Sequence, residues 1–136
     1  MAQYLLDTDI CIAFLKGKND LLKKIEKVGF DNCFVSEITI GELSYGAYFS
    51  DRIEKHKEEV VKTKKLFNVI PISECLELFG KEKARLRREG NLIHDFDLLI
   101  GSTAVYFDMI MVTNNEKHLS RVSGIVIENW IKHDVK

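Results

Sequence analysis

Tyr4-Leu5-Leu6-Asp7-Thr8-Asp9-Ile10 is a short apolar run that ends in two carboxylates and leads into the helical spacing Ile10, Ala13, Phe14. An apolar triplet closed by an acid reads as a buried strand reaching its polar end, and Asp9 stands where it can cap the next helix. The alternation continues outward from there. Over 20–28, Leu21, Leu22, Ile25 and Val28 share one side of a helix that Gly29 stops, and Cys33-Phe34-Val35 is a second strand. Helices over 39–49 and 52–67 precede a third strand, Val69-Ile70-Pro71-Ile72, in which Pro71 marks an edge position or a strand end. A helix capped by Ser73 runs to Glu89 before Gly90, another spans about 95–107, and strands follow at 109–113 and 125–127. Strands separated by helices predict right-handed crossovers and a short, mostly parallel central sheet covered on both faces. The expected class is α/β, in three layers, α/β/α.

With 136 residues, 46% hydrophobic and 30% charged, one proline and eight glycines, the chain has the material for one core and reads as a single domain over 1–136. No repeat or low-complexity tract interrupts it. The uncharged stretch 98–107 is bounded by Asp97 and Asp108, well short of the roughly 20 residues of a membrane helix. Residues 1–7 show no basic segment followed by an apolar one, so a cytoplasmic address is expected. Cys11, Cys33 and Cys75 are odd in number and set among apolar residues, which suits buried reduced thiols better than disulfides or zinc.

The net charge of −1 excludes a global polycation, but its distribution is uneven: −2 over 1–50, +3 over 51–94 and −2 over 95–136. A basic middle between acidic ends can steer phosphate backbones toward a carboxylate-rich site, or can simply be solvated helix surface. No glycine-rich phosphate loop and no Gly-x-Ser-x-Gly elbow occurs. Asp7-Thr8-Asp9 is followed by Cys11, which argues against an aspartyl-phosphate phosphatase. His56, His94, His118 and His133 lie scattered in polar surroundings and read as surface residues.

In parallel sheets, ligands bind beyond the carboxyl ends of the strands. The candidates there are Asp7 and Asp9, then Glu42, then Asp95 and Asp97, then Thr113-Asn114-Asn115-Glu116. Converging carboxylates without an adjacent base raise one another's pKa unless a cation sits among them, and hard oxygen donors call for Mg²⁺ or Mn²⁺. Structural readings stand beside these. Asp9 and Asp95 suit helix caps, and Thr39 with Glu42 fits a capping box. Asp7 and Asp97 are harder to explain that way, because each interrupts an apolar run and a buried, unpaired carboxylate costs several kcal/mol.

Leu5-Leu6-Asp7-Thr8-Asp9-Ile10, residues 36–47, Phe96-Asp97-Leu98-Leu99-Ile100-Gly101, Met111-Val112-Thr113-Asn114-Asn115 and Ile127-Glu128-Asn129-Trp130 together resemble the PIN-domain ribonucleases, and within them the VapC toxins of toxin–antitoxin pairs. The resemblance spans nearly the whole chain in order. It implies a metal-dependent endoribonuclease whose acids fall on Asp7, Glu42 and Asp97, binding one or two Mg²⁺ or Mn²⁺ ions, with Glu42 as ligand or proton acceptor. Thr113 and Asn115 would orient ligands or bound water. A fourth acid of many relatives is replaced here by Asn115 or His118, which leaves Glu116, Asp95 and Asp9 as supporting carboxylates. It further implies an RNA substrate, often a tRNA, a VapB-like antitoxin and a homodimer. Lys81, Lys83, Arg85, Arg87 and Arg88 are the candidates for holding the phosphate backbone. The exposed-or-core cluster Tyr45, Tyr48 and Phe49 would serve a dimer or antitoxin surface, or the core. A PIN-like processing nuclease without antitoxin, and a catalytically silent binding domain, are the competing readings.

Overall fold

Leu5 and Leu6 are neighbours in the chain and both fully buried, yet they belong to different cores. Strand β1 (Tyr4–Leu6) lies at the centre of a sheet, and successive side chains of a strand point to opposite faces. On one side Leu6 packs with Ile10, Ile25, Val35 and Val112; on the other Leu5 packs with Ile100, Ala104 and Met111. A strand that must be apolar on both faces shows a continuous run rather than alternation, which is why Tyr4-Leu5-Leu6 carried its signal so plainly.

The computed structural model describes residues 1–131. In chain order β1 is followed by α1 (Thr8–Leu15), α2 (Leu21–Val28), β2 (Cys33–Ser36), α3 (Glu37–Tyr48), α4 (Ile53–Leu66), β3 (Asn68–Ile70), α5 (Leu76–Arg88), α6 (Asp95–Tyr106), β4 (Ile110–Val112), α7 (Glu116–Leu119) and β5 (Ile127–Glu128). The strands are ordered β3-β2-β1-β4-β5 and every pairing is parallel. Helices cover both faces, so the three-layer α/β/α expectation holds. The edge strand β3 ends at Ile70, and Pro71 follows it where no ladder hydrogen bond is required. Gly29 closes α2 at φ 97°, a conformation other residues adopt only with strain. Cys11, Cys33 and Cys75 are free thiols in the interior. Among the described residues no helix is long and apolar enough to cross a membrane.

Three helix starts differ from the sequence reading because a residue one to three positions earlier reaches the exposed N–H groups, and a fourth is displaced by a 3₁₀ turn. Asp7, not Asp9, caps α1, accepting from the Thr8 N–H at 2.8 Å. Ser36 caps α3 through the Ile38 N–H, which places Thr39 and Glu42 inside the helix and dissolves their capping box. His94, not Asp95, caps α6, its Nδ1 accepting from the Phe96 N–H at 3.3 Å. Ser73 opens a 3₁₀ turn over Ser73–Cys75, and α5 begins after it. The short α7 escapes periodicity because four residues contain barely one turn. His133 lies outside the described residues.

Gly101 shows how closely α6 is packed. A β-carbon there would stand 3.0 Å from Leu119 Cδ1 and 3.1 Å from Val122 Cγ2. Gly101→Val is therefore expected to destabilise the fold by about 2 kcal/mol through overpacking, and urea denaturation reads it; unchanged stability would mean that the 119–122 segment shifts freely.

Candidate functional site

The strand order reverses at β1. From β1 the chain winds through β2 and β3 to one edge, then returns to place β4 on the other side of β1. The carboxyl ends of β1 and β4 therefore feed loops that diverge, which is where open α/β sheets form a crevice. Asp7 and Thr113 are the first residues past those two ends, and both are buried.

Their side chains meet. Thr113 Oγ1 donates to Asp7 Oδ2 at 2.7 Å and accepts from the Asn115 N–H at 2.9 Å. With Thr8 N–H on Oδ1, each oxygen of Asp7 has one fixed partner and a lone pair to spare. Asp9 Oδ2 accepts from the Asn114 N–H at 3.1 Å, while its Oδ1 is buried with no partner. Asp97, on the first turn of α6, accepts from Asn115 Nδ2 at 3.3 Å. Glu42, from α3, accepts from Thr8 Oγ1 at 2.5 Å. Since that hydroxyl has spent its only proton, Thr39 Oγ1 must be the donor in its 2.9 Å contact with Thr8. Thr8 and Thr113 thus hold one acid each.

Burial, then the negative charge of Asp9, pushes the Asp7 carboxyl up to about 7, with the Asp97 charge adding to the rise. Asp9 is raised too, chiefly by burial and further by Asp97. Among the described residues no lysine or arginine donates to Asp7, Asp9, Glu42 or Asp97. An orphaned buried oxygen beside carboxylates that resist ionisation is the environment that a divalent cation relieves, and the donors are the hard oxygens that Mg²⁺ and Mn²⁺ take. The residues fit such an ion in chemistry. As they stand, no three His, Cys, Asp or Glu side chains among the described residues already surround one point.

The remaining sequence candidates fall elsewhere. Asp95 is exposed and paired with Lys83 at 2.9 Å, so it turns to the helix surface instead of joining the acids. Glu116 accepts from Asn129 Nδ2 at 3.0 Å, and the same Nδ2 reaches Asn114 Oδ1 at 3.0 Å. Of the basic set, Arg85 is committed to a clamp: it forms two hydrogen bonds to the buried Glu82, one to Glu89 and one to the Arg121 carbonyl. Lys81, Arg87 and Arg88 stand exposed. Tyr45, Tyr48 and Phe49 are 69%, 62% and 79% exposed, which removes core packing as their explanation. Sequence reasoning gave no role to Thr8 and Asn129. The one usable signal was a hydroxyl residue between two acids at a strand end.

A family model described as the PIN domain matches residues 4–125. The Ribonuclease VapC2 of Rickettsia felis is 31% identical over 132 residues, covering 95% of this chain and 98% of that protein. The chain belongs to the PIN-domain family, among its VapC members. A second VapC relative, the tRNA(fMet)-specific endonuclease VapC of Shigella flexneri, is 29% identical over 96% of this chain and 99% of its own length. The structure of DNA-bound VapBC from Salmonella typhimurium superposes with a TM-score of 0.87 at 29% identity, over 96% of this chain and 99% of that one. VapBC2 from Rickettsia felis, bound to a promoter DNA fragment, gives 0.85 at 29% identity, over 93% and 98%.

Proposed function

We propose that this VapC-type PIN domain is a metal-dependent endoribonuclease toxin, acting as one domain over 1–136 in the cytoplasm, that hydrolyses RNA phosphodiester bonds. The observation that carries the reading is the pair at the switch point, a buried Asp7 and a half-buried Asp9 whose Oδ1 is buried without a partner, both with raised pKa values and no basic partner among the described residues. Asp7, Glu42 and Asp97 would hold Mg²⁺ or Mn²⁺, with Asp9 completing the set. The bound ion supplies Lewis acidity toward the phosphate and lowers the pKa of a water.

The chain's own residues do the positioning. Thr113 keeps Asp7 facing the crevice, Asn115 steadies Asp97, and Thr8 fixes Glu42, whose free oxygen is left to accept a proton from the attacking water. Asn114, Asn129 and Glu116 brace the loop after β4 that carries these contacts. Lys81, Arg87 and Arg88 are the side chains for the RNA backbone. A tRNA is the proposed substrate and a VapB-like protein the proposed antitoxin, on the strength of the tRNA(fMet)-specific relative and the VapBC neighbours. A homodimer is proposed on the resemblance to the VapC toxins.

Incubating the chain with total tRNA in Mg²⁺, Mn²⁺ or EDTA tests this. Discrete cuts that need the metal are expected, and Asp97→Asn should cut at most about one hundredth as fast while keeping the wild-type melting temperature. A folded protein that neither cuts RNA nor binds metal in calorimetry would favour a silent binding domain, whose support is the Asn115 and His118 that stand where many relatives carry a fourth acid.

A further inference from the structure

Next to the acids lies a second cleft, about 730 Å³ in volume, with Thr8 and Glu42 in its wall. It is lined by Tyr45 from α3 and by His94 and Phe96 from the start of α6. Tyr45 is 69% exposed and Phe96 43%, a large aromatic surface to leave in water. Each has an aromatic neighbour. Tyr45 stacks on Phe49 with centroids 5.8 Å apart and planes 12° from parallel, and His94 meets Phe96 edge-on at 5.4 Å.

The charge of the cleft selects among occupants. Its only charged residues are Glu37 and Glu42, with no lysine or arginine in the wall. A phosphate would be repelled, whereas a neutral, planar group with exocyclic amines could stack on the rings and donate to a carboxylate. The cleft also shares Thr8 and Glu42 with the proposed catalytic crevice, so its occupant is joined to whatever is cut there. We infer that the cleft of Tyr45, His94 and Phe96 receives one unpaired nucleobase of the RNA, next to the phosphodiester that is hydrolysed. This rests on the nuclease reading for the identity of the polymer. The stacking partner would supply sequence-tolerant grip on unpaired RNA, leaving base choice to Glu37, whose Oε1 accepts from the Ile72 N–H and whose second oxygen is open to an exocyclic amine.

The test uses the full chain in EDTA, where a metal-dependent cut does not proceed, and an RNA hexamer with a single fluorescent 2-aminopurine. Stacking on an aromatic ring quenches that base. Wild type should bind with quenching, and Tyr45→Leu with Phe96→Leu, which keeps apolar bulk but removes both rings, should lose the quenching and bind roughly tenfold more weakly. His94 is left intact because it caps α6. An abasic hexamer should bind both proteins equally. Cleavage of total tRNA is followed in parallel. If wild type cuts tRNA and the double variant binds and quenches as wild type does, the base site is overturned while the nuclease reading stands. If wild type does not cut but the ring-dependent quenching is present, the nuclease reading falls and the base site stands. If the double substitution weakens capture of a VapB-type peptide while leaving hexamer binding untouched, the cleft is a protein site and the proposal is overturned.

Discussion

Asp7→Asn is expected to lower RNA cleavage about a thousandfold while raising the stability of the metal-free protein. The substitution is isosteric and keeps an acceptor for the Thr8 N–H, so the crevice retains its shape. What it removes is the negative charge that would hold the divalent ion, and weakening a cation's hold at a reacting phosphate costs that order of rate. The opposite effect on stability follows from linkage. The Asp7 carboxyl is pushed up to about 7 in the fold from an ordinary value of 3.8. A carboxyl raised on folding binds its proton more tightly in the native state, so wild type loses stability as pH climbs from about 4 to about 7 and then levels off. The asparagine variant has no such loss. In EDTA at pH 8 it should unfold with about 2–4 kcal/mol more free energy than wild type, a gain that Mg²⁺ or Mn²⁺ should narrow by binding wild type alone. Chemical denaturation across pH 4 to 8 with and without metal, beside cleavage rates, measures both halves. A variant that is inactive and also unstable would make Asp7 a structural residue.

Glu82→Ala should be the most damaging change away from the crevice. Glu82 is a helix residue only 4% exposed, and its carboxylate takes two hydrogen bonds from Arg85, at 2.9 and 3.0 Å, and a third from the Ser123 N–H at 2.8 Å. Arg85 in turn holds the Arg121 carbonyl, so this one carboxylate fastens α5 to the loop between α7 and β5. Removing it strands a partly buried guanidinium and an N–H, for an expected loss of about 3 kcal/mol. Glu82→Gln keeps an acceptor and should lose less. The pH dependence has the sign opposite to that of Asp7. The Arg85 hydrogen bonds, aided by the Ser123 N–H, hold the Glu82 carboxyl down at about 2, against 4.5 ordinarily. Its stabilisation is complete above about pH 4.5 and is lost as pH falls toward 2. Urea unfolding at pH 7 and at steps down to pH 3 checks this: wild type and Glu82→Ala should converge in acid, and a constant gap between them would refute the assignment.

The clamp also explains a weakness of reading basic residues from sequence. Lys81, Lys83, Arg85, Arg87 and Arg88 look alike as a run, and helical spacing alone cannot say which face each one takes. Folding separates them: Arg85 is drawn to Glu82, Lys83 to Asp95, and the other three remain in water. Caps failed for a related reason. Asp7 and Asp9, or His94 and Asp95, are almost equivalent as local signals, and the choice depends on where the preceding strand or loop delivers the backbone.

Local and periodic features were legible without coordinates. Apolar triplets such as Tyr4-Leu5-Leu6 must be buried on both faces, which already requires a parallel sheet between helices, and an acid ending such a run must have a reason to be there. The order β3-β2-β1-β4-β5 is not a local property. It follows from which strands can pair once both faces of β1 are covered, and it alone brings Thr113 to Asp7 and Asn115 to Asp97 across 106 and 18 residues of chain. The orphaned oxygen of Asp9, the relay from Thr39 through Thr8 to Glu42 and the aromatic cleft beside it arise in the same way. Hydrogen bonds and desolvation act over a few ångströms in space, so residues distant in sequence acquire them only when the chain is folded.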